Sequence, residues 1–281
     1  MYGTLYLCAT PIGNLSDVSA RFLETLKLVD LIAAEDTRVT IKLLNHFNIK
    51  KQLTSYHEHN KAEKGEYIIS LLKEGKNVAL VSDAGTPAIS DPGEDLVKLC
   101  IENDINVTSI PGCVAAINAL ILSGLSTKRF SFEGFLSVNK RHRREHLTSL
   151  KKDTHTLIFY EAPHKLIYTL ADMAEIFGEN RKIALVRELT KLHEEILRFT
   201  LKDALEKFSE EKPRGEYVII VEGGCEKDIQ SEEQWWENLS VCEHVEEYIK
   251  KGLSSKDAVK AAAVDRQVQK REIYNEYHKS N

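Results

Sequence analysis

No apolar run in this 281-residue chain approaches the roughly 20 residues that a membrane span needs, and the stretch from Tyr2 to Cys8 is too short for a signal sequence. A cytoplasmic location is expected, with no membrane partner. Cysteine is scarce. Cys8, Cys100, Cys113, Cys225 and Cys242 are odd in number and scattered, without a Cys-x-x-Cys, which argues against a disulfide framework and predicts reduced thiols, mostly in the core. Histidines do not pair at metal-ligand spacing: His57 and His59 suit a metal only on a strand and with a third ligand that the sequence does not supply, so no metal is expected. Excess positive charge is lacking too. A formal net charge of -5 argues against wholesale coating of nucleic acid and leaves only a local basic patch for that role. The turn from Thr10 to Asn14 lacks the three-glycine dinucleotide spacing, and no Gly-Lys-Ser/Thr phosphate loop occurs, which weakens nicotinamide, flavin and nucleotide-hydrolysis readings.

What is present is an ordinary globular composition, 42% hydrophobic and 29% charged, at a length that suits about two domains. The chain is organised around residues 77–93, NVALVSDAGTPAISDPG. Asn77 to Val81 is a short apolar run suited to a buried central strand. Ser82 to Gly93 then brings two glycines, two prolines and small polar side chains. Pro87 and Pro92 fix φ, while Gly85 and Gly93 open conformations closed to other residues. The stretch reads equally as a ligand loop at the carboxyl end of a strand and as a turn capping the helix near Pro92. Before it, strands are expected over 3–9, 30–34 and 52–54, and helices over 19–28 and through Ile41, Leu43 and Leu44. Three polar clusters close those strands: Thr10 to Asn14, Glu35 to Arg38, and Ser55 to Asn60. In a parallel sheet they share an edge with the 82–93 loop. Each has a plainer reading. Glu35, Asp36 and Thr37 suit a helix N-terminus, and His57 and His59 suit a solvated loop.

A helix over 94–102, a strand over 106–110 and the small-residue junction Pro111 to Ala116 complete a first domain, 1–122. The pattern breaks at Leu125 to Arg129, and a second α/β domain, 123–224, follows. Its strands are expected over 130–135, 156–160, 182–187, 195–200 and 217–221, in a more meandering order. Residues 222–237 hold six acids, one lysine and the pair Trp235–Trp236, which reads as an acidic linker over 225–240. Helices over 241–249, 254–264 and 268–277 then form a module at 241–281. It reads as a helix-turn-helix that contacts RNA, or as a tail packed on the second domain or on a partner subunit.

Seven segments occur in order: CATPIGN at 8–14, AEDTR at 34–38, VSDAGTPAISDPG at 81–93, FEGFL at 132–136, EAPHK at 161–165, RELTK at 187–191 and PRGEY at 213–217. Together they resemble the bacterial small-subunit ribosomal RNA methyltransferase I family, within the tetrapyrrole-methylase-like superfamily. The resemblance spans 4–221 and, more weakly, the helical tail. It implies two α/β domains of the tetrapyrrole methylase type, the class III S-adenosylmethionine methyltransferase fold, in a homodimer. It also implies methyl transfer from S-adenosylmethionine to the ribose 2'-oxygen of a decoding-centre cytidine in 16S rRNA of the small ribosomal subunit. Carried over by motif, the cofactor pocket comprises Pro11, the loop residues Ser82, Asp83, Ala84, Gly85, Thr86, Pro87, Ile89 and Asp91, the junction residues Cys113, Ala115 and Ala116, and Tyr160, Glu161, Ala162, Gly215 and Glu216. Substrate contacts are expected at Arg38, His57, His59, Asn60, Lys165, Arg187 and Glu188.

S-adenosylmethionine has no phosphate, so the missing phosphate loop agrees with this reading. In-line methyl transfer needs oxygen, carbon and sulfur collinear, with the reactants about 3 Å apart. A ribose hydroxyl is a poor nucleophile until a base draws off its proton. Glu35, Asp36, His57, His59 and Glu188 are candidates, with Asp36 preferred for its strand-end position and for the acidic residues found there in superfamily relatives; Arg38 is expected to hold a substrate phosphate. Between Lys128 and Lys152 the chain carries eight basic residues against two acids. Lys140, Arg141, Arg143 and Arg144, on a helix there, are expected either to meet RNA or to form a solvated surface. Two other functions stay open: carbon methylation of a tetrapyrrole precursor, and a non-catalytic RNA-binding ribosome-assembly protein.

Overall fold

The computed structural model describes residues 1–224, 236, 238–266 and 268–279. They form two compact units, one built from Met1–Lys151 and His155–Gly223, the other from Lys152–Thr154 and the described residues from Gly224 onward. Most of the expected acidic linker, with Cys225 and Trp235, lies outside the described residues.

The first unit contains two sheets. Strands β1 (Thr4–Cys8), β2 (Leu31–Ala34), β3 (Gln52–Ser55), β4 (Val78–Val81) and β5 (Asn106–Ile110) pair in the order β3-β2-β4-β1-β5, all parallel. Helices α1 (Ala20–Leu28), α2 (Thr37–His46), α3 (Lys61–Lys73) and α4 (Gly93–Glu102) make the crossovers. Every residue of β2 and β4 is buried. Helices cover both faces of a sheet of this kind, which is why these strands read as continuous apolar runs rather than as alternations. Leu5, Leu80, Ile68 and Leu96 fill one face; Cys8, Phe22, Ile32 and Val81 fill the other. Because the strands are parallel, the four polar loops that follow β1 to β4 lie along one edge.

The second sheet is mixed. β6 (Phe130–Phe135), β7 (Thr156–Glu161), β8 (Lys182–Arg187), β9 (Glu195–Thr200) and β10 (Tyr217–Val221) pair in the order β6-β7-β10-β8-β9, with only β6 and β7 parallel. Helix α5 (Ala115–Ser123) follows a strand of the first sheet yet packs on the second, setting Ala116, Ala119 and Leu120 against Ile158, Val186 and Val218. Its alanines permit that close approach. Left-handed Gly124, at φ 77°, ends it. On the opposite face, α6 (Lys140–Leu150), α7 (Pro163–Phe177) and α8 (Leu201–Glu210) cover Phe159, Leu185 and Ile219. Pro163 occupies the first turn of α7, where its missing N–H is no loss.

Helix α6 corrects an expectation. Arg143 and Leu147 stand four residues apart and so share one helix face, and that face is buried. Arg143 is 7% exposed and pairs with Asp172 of α7 at 2.7 Å. Arg144 reaches Asp172 at 3.0 Å and also pairs with Glu175. These two arginines hold α6 against α7 rather than forming a free cationic face. Lys140 and Arg141 are exposed, and Arg141 pairs with Glu145 at 2.8 Å.

In the second unit, α9 (Val241–Lys250), α10 (Ser255–Asp265) and α11 (Lys270–Lys279) enclose Val245, Ala258, Val259, Ala262 and Ile273. The Ser240 and Glu243 capping box starts α9, and Ser254 caps α10. His244 is fully buried. Its Nδ1 accepts from Arg266 Nε at 3.1 Å, so Nε2 carries the hydrogen that is donated to Asp265 at 3.0 Å. No helix among the described residues is long and apolar enough to cross a membrane.

Replacing Arg143 with alanine takes from the Asp172 carboxylate, which is 6% exposed, its closest partner and leaves it Arg144. Stability is expected to fall by roughly 1–3 kcal/mol. Arg141→Ala is expected to leave it unchanged. Urea unfolding of the two variants checks both.

Candidate functional site

The turn after β4 is held by a dense set of bonds to its neighbours. Thr10 and Gly85 exchange backbone hydrogen bonds, Thr10 N donating at 2.9 Å and Gly85 N at 3.2 Å. The Gly85 carbonyl also accepts from Ser82 Oγ at 3.1 Å, and Thr86 Oγ1 donates to the Cys113 carbonyl at 3.0 Å. Toward β2, Asp83 Oδ1 accepts from Asp36 N at 3.0 Å while Glu35 Oε2 accepts from Asp83 N at 3.3 Å. Further along, Asp91 Oδ1 takes the Ala88 and Gly93 N–H groups at 3.0 and 2.7 Å.

This bonding offsets strain. Ala88 and Ser90 adopt φ of 69° and 64°, and across from them Glu188 and Thr190 adopt 50° and 66°. Such conformations cost non-glycine residues on the order of 1–3 kcal/mol each, and clusters of them mark functional loops. The two strained loops face a shared cavity of about 660 Å³. The first sheet lends it Ile12, Glu35, the turn from Ser82 to Thr86, and Ala115. The second lends Phe135, Tyr160, Ala162, Glu188, Lys191 and Glu216. Tyr160 ties the halves together: its hydroxyl accepts from Ala116 N at 3.1 Å, while its ring packs edge-on against Phe132 and Phe135.

The charges are unequal. Glu35 is raised above the usual carboxylate range by burial and then by the neighbouring charges of Asp83, Asp91 and Asp36, against the Asp83 N–H, which lowers it. Asp36 goes the other way, down to about 2. Hydrogen bonds from the Arg38 guanidinium, then from the Arg38 backbone N–H, hold it ionised. Burial alone would raise Glu188, but the Glu216 N–H and the Lys191 ammonium outweigh it and leave it lowered. Lys191 Nζ bridges Glu188 and Glu216 at 3.1 and 3.0 Å.

A second cavity, of about 540 Å³, shares Glu35, Ser90 and Asp91 with the first and adds His57, Glu58, His59 and Glu94.

The family profile of the Tetrapyrrole (Corrin/Porphyrin) Methylases matches residues 4–205. The chain belongs to that family. Over 276 residues it is 52% identical to the ribosomal RNA small subunit methyltransferase I of Bacillus subtilis (strain 168), covering 98% of this chain and 94% of that one. It is 56% identical to the protein of the same name from Halalkalibacterium halodurans, over 98% and 95%. The fold is also that of the Thermus thermophilus uroporphyrin-III C-methyl transferase solved with S-adenyl homocysteine, at a TM-score of 0.57 and 13% identity over 82% of this chain and all of that one.

In this methylase most of the residues expected at the cofactor pocket do line the larger cavity. Pro11, Pro87, Cys113, Ala116 and Gly215 stand outside that lining. Cys113 and Ala116 act through main chain, accepting from Thr86 and donating to Tyr160. Gly215, at φ 78°, makes room for the Glu188 carboxylate, 2.6 Å from where a Cβ would be. Glu161 touches the cavity, but its carboxylate is taken up by Ala162 N, Thr169 Oγ1 and Lys165 Nζ, so Glu161 and Lys165 build the turn.

Of the expected substrate contacts, Glu188 lines the larger cavity and His57 and His59 the smaller. Asn60 spends its carboxamide on His57 N and Ser55. Arg187 donates to the Arg214 carbonyl. Asp36 and Arg38 line neither cavity: Asp36 caps α2 and is gripped by Arg38. Lys191, Ile12 and Phe135 are lining residues that the motif reading left off its site. All three lie in the motif segments already noted, which was the available signal.

Tyr160→Phe removes the acceptor for the buried Ala116 N–H. It is expected to cost roughly 1–3 kcal/mol in chemical unfolding without altering the fold.

Proposed function

We propose that the chain transfers a methyl group from S-adenosylmethionine to the ribose 2'-oxygen of a cytidine in 16S rRNA of the small ribosomal subunit. The observation that carries this reading is near full-length similarity, at 52–56% identity, to relatives named ribosomal RNA small subunit methyltransferase I. The residues of the larger cavity fit the cofactor. Its lining, among the described residues, holds no arginine and a single lysine, Lys191, which is already bridged by two carboxylates. Glu35, Asp83, Asp91, Glu188 and Glu216 leave it negative, which favours a cationic, phosphate-free ligand and disfavours a nucleotide. The Ser82 to Thr86 turn and Ala115 present small side chains, through which main chain can hold an adenosine and an amino-acid moiety.

When bound, S-adenosylmethionine supplies an electrophilic methyl carbon on sulfonium. Glu35 lies where the two cavities meet. Its raised affinity for protons makes it the better base for a ribose hydroxyl, and we assign it that role in place of Asp36, whose strong pairing with Arg38 makes its carboxylate a poor proton acceptor. Asp83 N fixes one oxygen of Glu35, which aims the carboxylate. Exposed Lys140 and Arg141 remain the residues of α6 suited to substrate phosphates. The partner is the small subunit, and a homodimer is part of the reading.

Glu35→Gln is expected to lower kcat roughly 10²–10⁴-fold with cofactor affinity within a few-fold of wild type. Asp36→Asn is expected to keep kcat within a few-fold. Because Glu35 must be ionised to act and its pKa is raised, wild-type activity is expected to fall as pH drops, starting at a higher pH than an ordinary glutamate would set. Tritium transfer from labelled S-adenosylmethionine to small subunits that lack the modification, followed across pH, measures all three. Transfer to a tetrapyrrole instead, or to nothing, would displace the proposal.

At Gly85, a Cβ would meet Ile12 Cγ2 at 3.5 Å and the Cys113 carbonyl at 3.6 Å, so there is room for it; the obstacle is φ of 88°. Gly85→Val is therefore expected to weaken S-adenosylmethionine binding by about tenfold or more in calorimetry. Gly85→Asn, which tolerates positive φ, is expected to bind nearly as wild type.

A further inference from the structure

The smaller cavity has chemistry of its own. Glu58 and Glu94 join Glu35 and Asp91 in its lining, which among the described residues contains no lysine or arginine; Lys61 and Lys98 pair with Glu58 and Glu94 at 2.8 and 2.6 Å. With those cations engaged by carboxylates, such a surface offers phosphate no free partner, so a polynucleotide would enter it by a base rather than by its backbone. Its volume of about 540 Å³ falls within the range of ligand clefts, roughly 300–1,000 Å³. Two buried polar atoms of its lining residues lack hydrogen-bond partners: Asp91 Oδ2 and His57 Nδ1. Both are on fixed supports. Asp91 Oδ1 is held by Ala88 N and Gly93 N, leaving Oδ2 free, and the His57 main chain is tied to Asn60 Oδ1 at 2.9 Å. An unsatisfied buried acceptor costs free energy that a ligand donor recovers.

We propose that this cavity receives the nucleobase of the target nucleotide and selects an edge that presents an amino group beside a ring-nitrogen acceptor, as cytosine does, over one that presents a carbonyl beside N–H, as uracil does. The inference rests on the methyl-transfer reading above and specifies its substrate. Asp91 Oδ2 accepts from the exocyclic amino group. His57 Nδ1, in the tautomer that carries its hydrogen there, donates to the adjacent ring nitrogen. Uracil would set its carbonyl against the Asp91 carboxylate and would leave His57 Nδ1 without a bond unless the ring shifted its hydrogen to Nε2. Because Glu35 lines both cavities, a base seated here sets its ribose beside the proton acceptor. To enter, the base must leave its stack, as for enzymes that flip their target.

The test compares small subunits that carry cytidine or uridine at the modified position, with tritiated S-adenosylmethionine as donor. Wild type is expected to favour cytidine at least tenfold in kcat/KM. Asp91→Asn keeps an oxygen for Ala88 N and Gly93 N but turns the free acceptor into an N–H donor, and is expected to reduce the preference at least tenfold, largely through gain on uridine. His57→Ala, whose main-chain tie survives, is expected to narrow the preference by loss on cytidine while calorimetry shows unchanged S-adenosylmethionine affinity. Equal use of cytidine and uridine by wild type overturns the proposal and leaves the methyltransferase reading standing. So does an undiminished preference in Asp91→Asn. If Asp91→Asn fails to bind S-adenosylmethionine, His57→Ala decides, and an unchanged ratio there overturns it. No label from wild type on either subunit removes the methyltransferase reading as well.

Discussion

The exchange of backbone hydrogen bonds between Thr10 and Gly85 is the constraint on which the rest of the site depends. It joins the turns that follow two adjacent parallel strands, and it holds Gly85 in a left-handed conformation that glycine adopts most cheaply and that β-branched residues resist. With Gly85 placed, Ser82 and Thr86 bond to the surrounding carbonyls, and Asp83 interlocks with the end of β2. Asp91 then closes the loop over two strained residues. Removing any one bond would leave the others, but the strain at Ala88 and Ser90 is sustained only by the set.

The distribution of charge follows from this framework. Acidic side chains gather at the sheet edge because the loops that end there are rich in Asp and Glu, but they do not all remain available. Asp36 is engaged by Arg38, Glu161 by Lys165 and Thr169, and Glu188 by Lys191 and a backbone amide. Glu35, half-buried among other carboxylates, is pushed toward holding a proton. A carboxylate with a raised pKa at the junction of two cavities is what makes Glu35 the base in the proposed reaction.

Helix α5 makes the two sheets a single site. It leaves the parallel sheet at β5 and packs its alanine face on the mixed sheet, and the Tyr160 hydroxyl bonds its first turn. Val114 and Ala115, at the start of that helix, therefore line a cavity walled by both sheets.

The alternation of strand and helix was legible in the sequence because buried parallel strands must be apolar throughout, and the strands expected over 106–110, 130–135, 182–187, 195–200 and 217–221 coincide with those formed. The loop residues of the larger cavity were legible as well, since glycine, proline and small polar side chains in one turn report a backbone path that few sequences tolerate. By itself, then, the sequence determined the elements and the location of the polar edge. Tertiary structure alone decided which charges stay free. A run of cations at 140–144 is uniform in sequence, yet helical geometry turns Arg143 inward, where Asp172, 29 residues away, pairs with it. Glu35 and Asp36 are neighbours of equal acidity in the chain; burial lifts one, and an arginine two residues on holds the other down. Partners and burial are set by distance in space, which residue order does not encode directly.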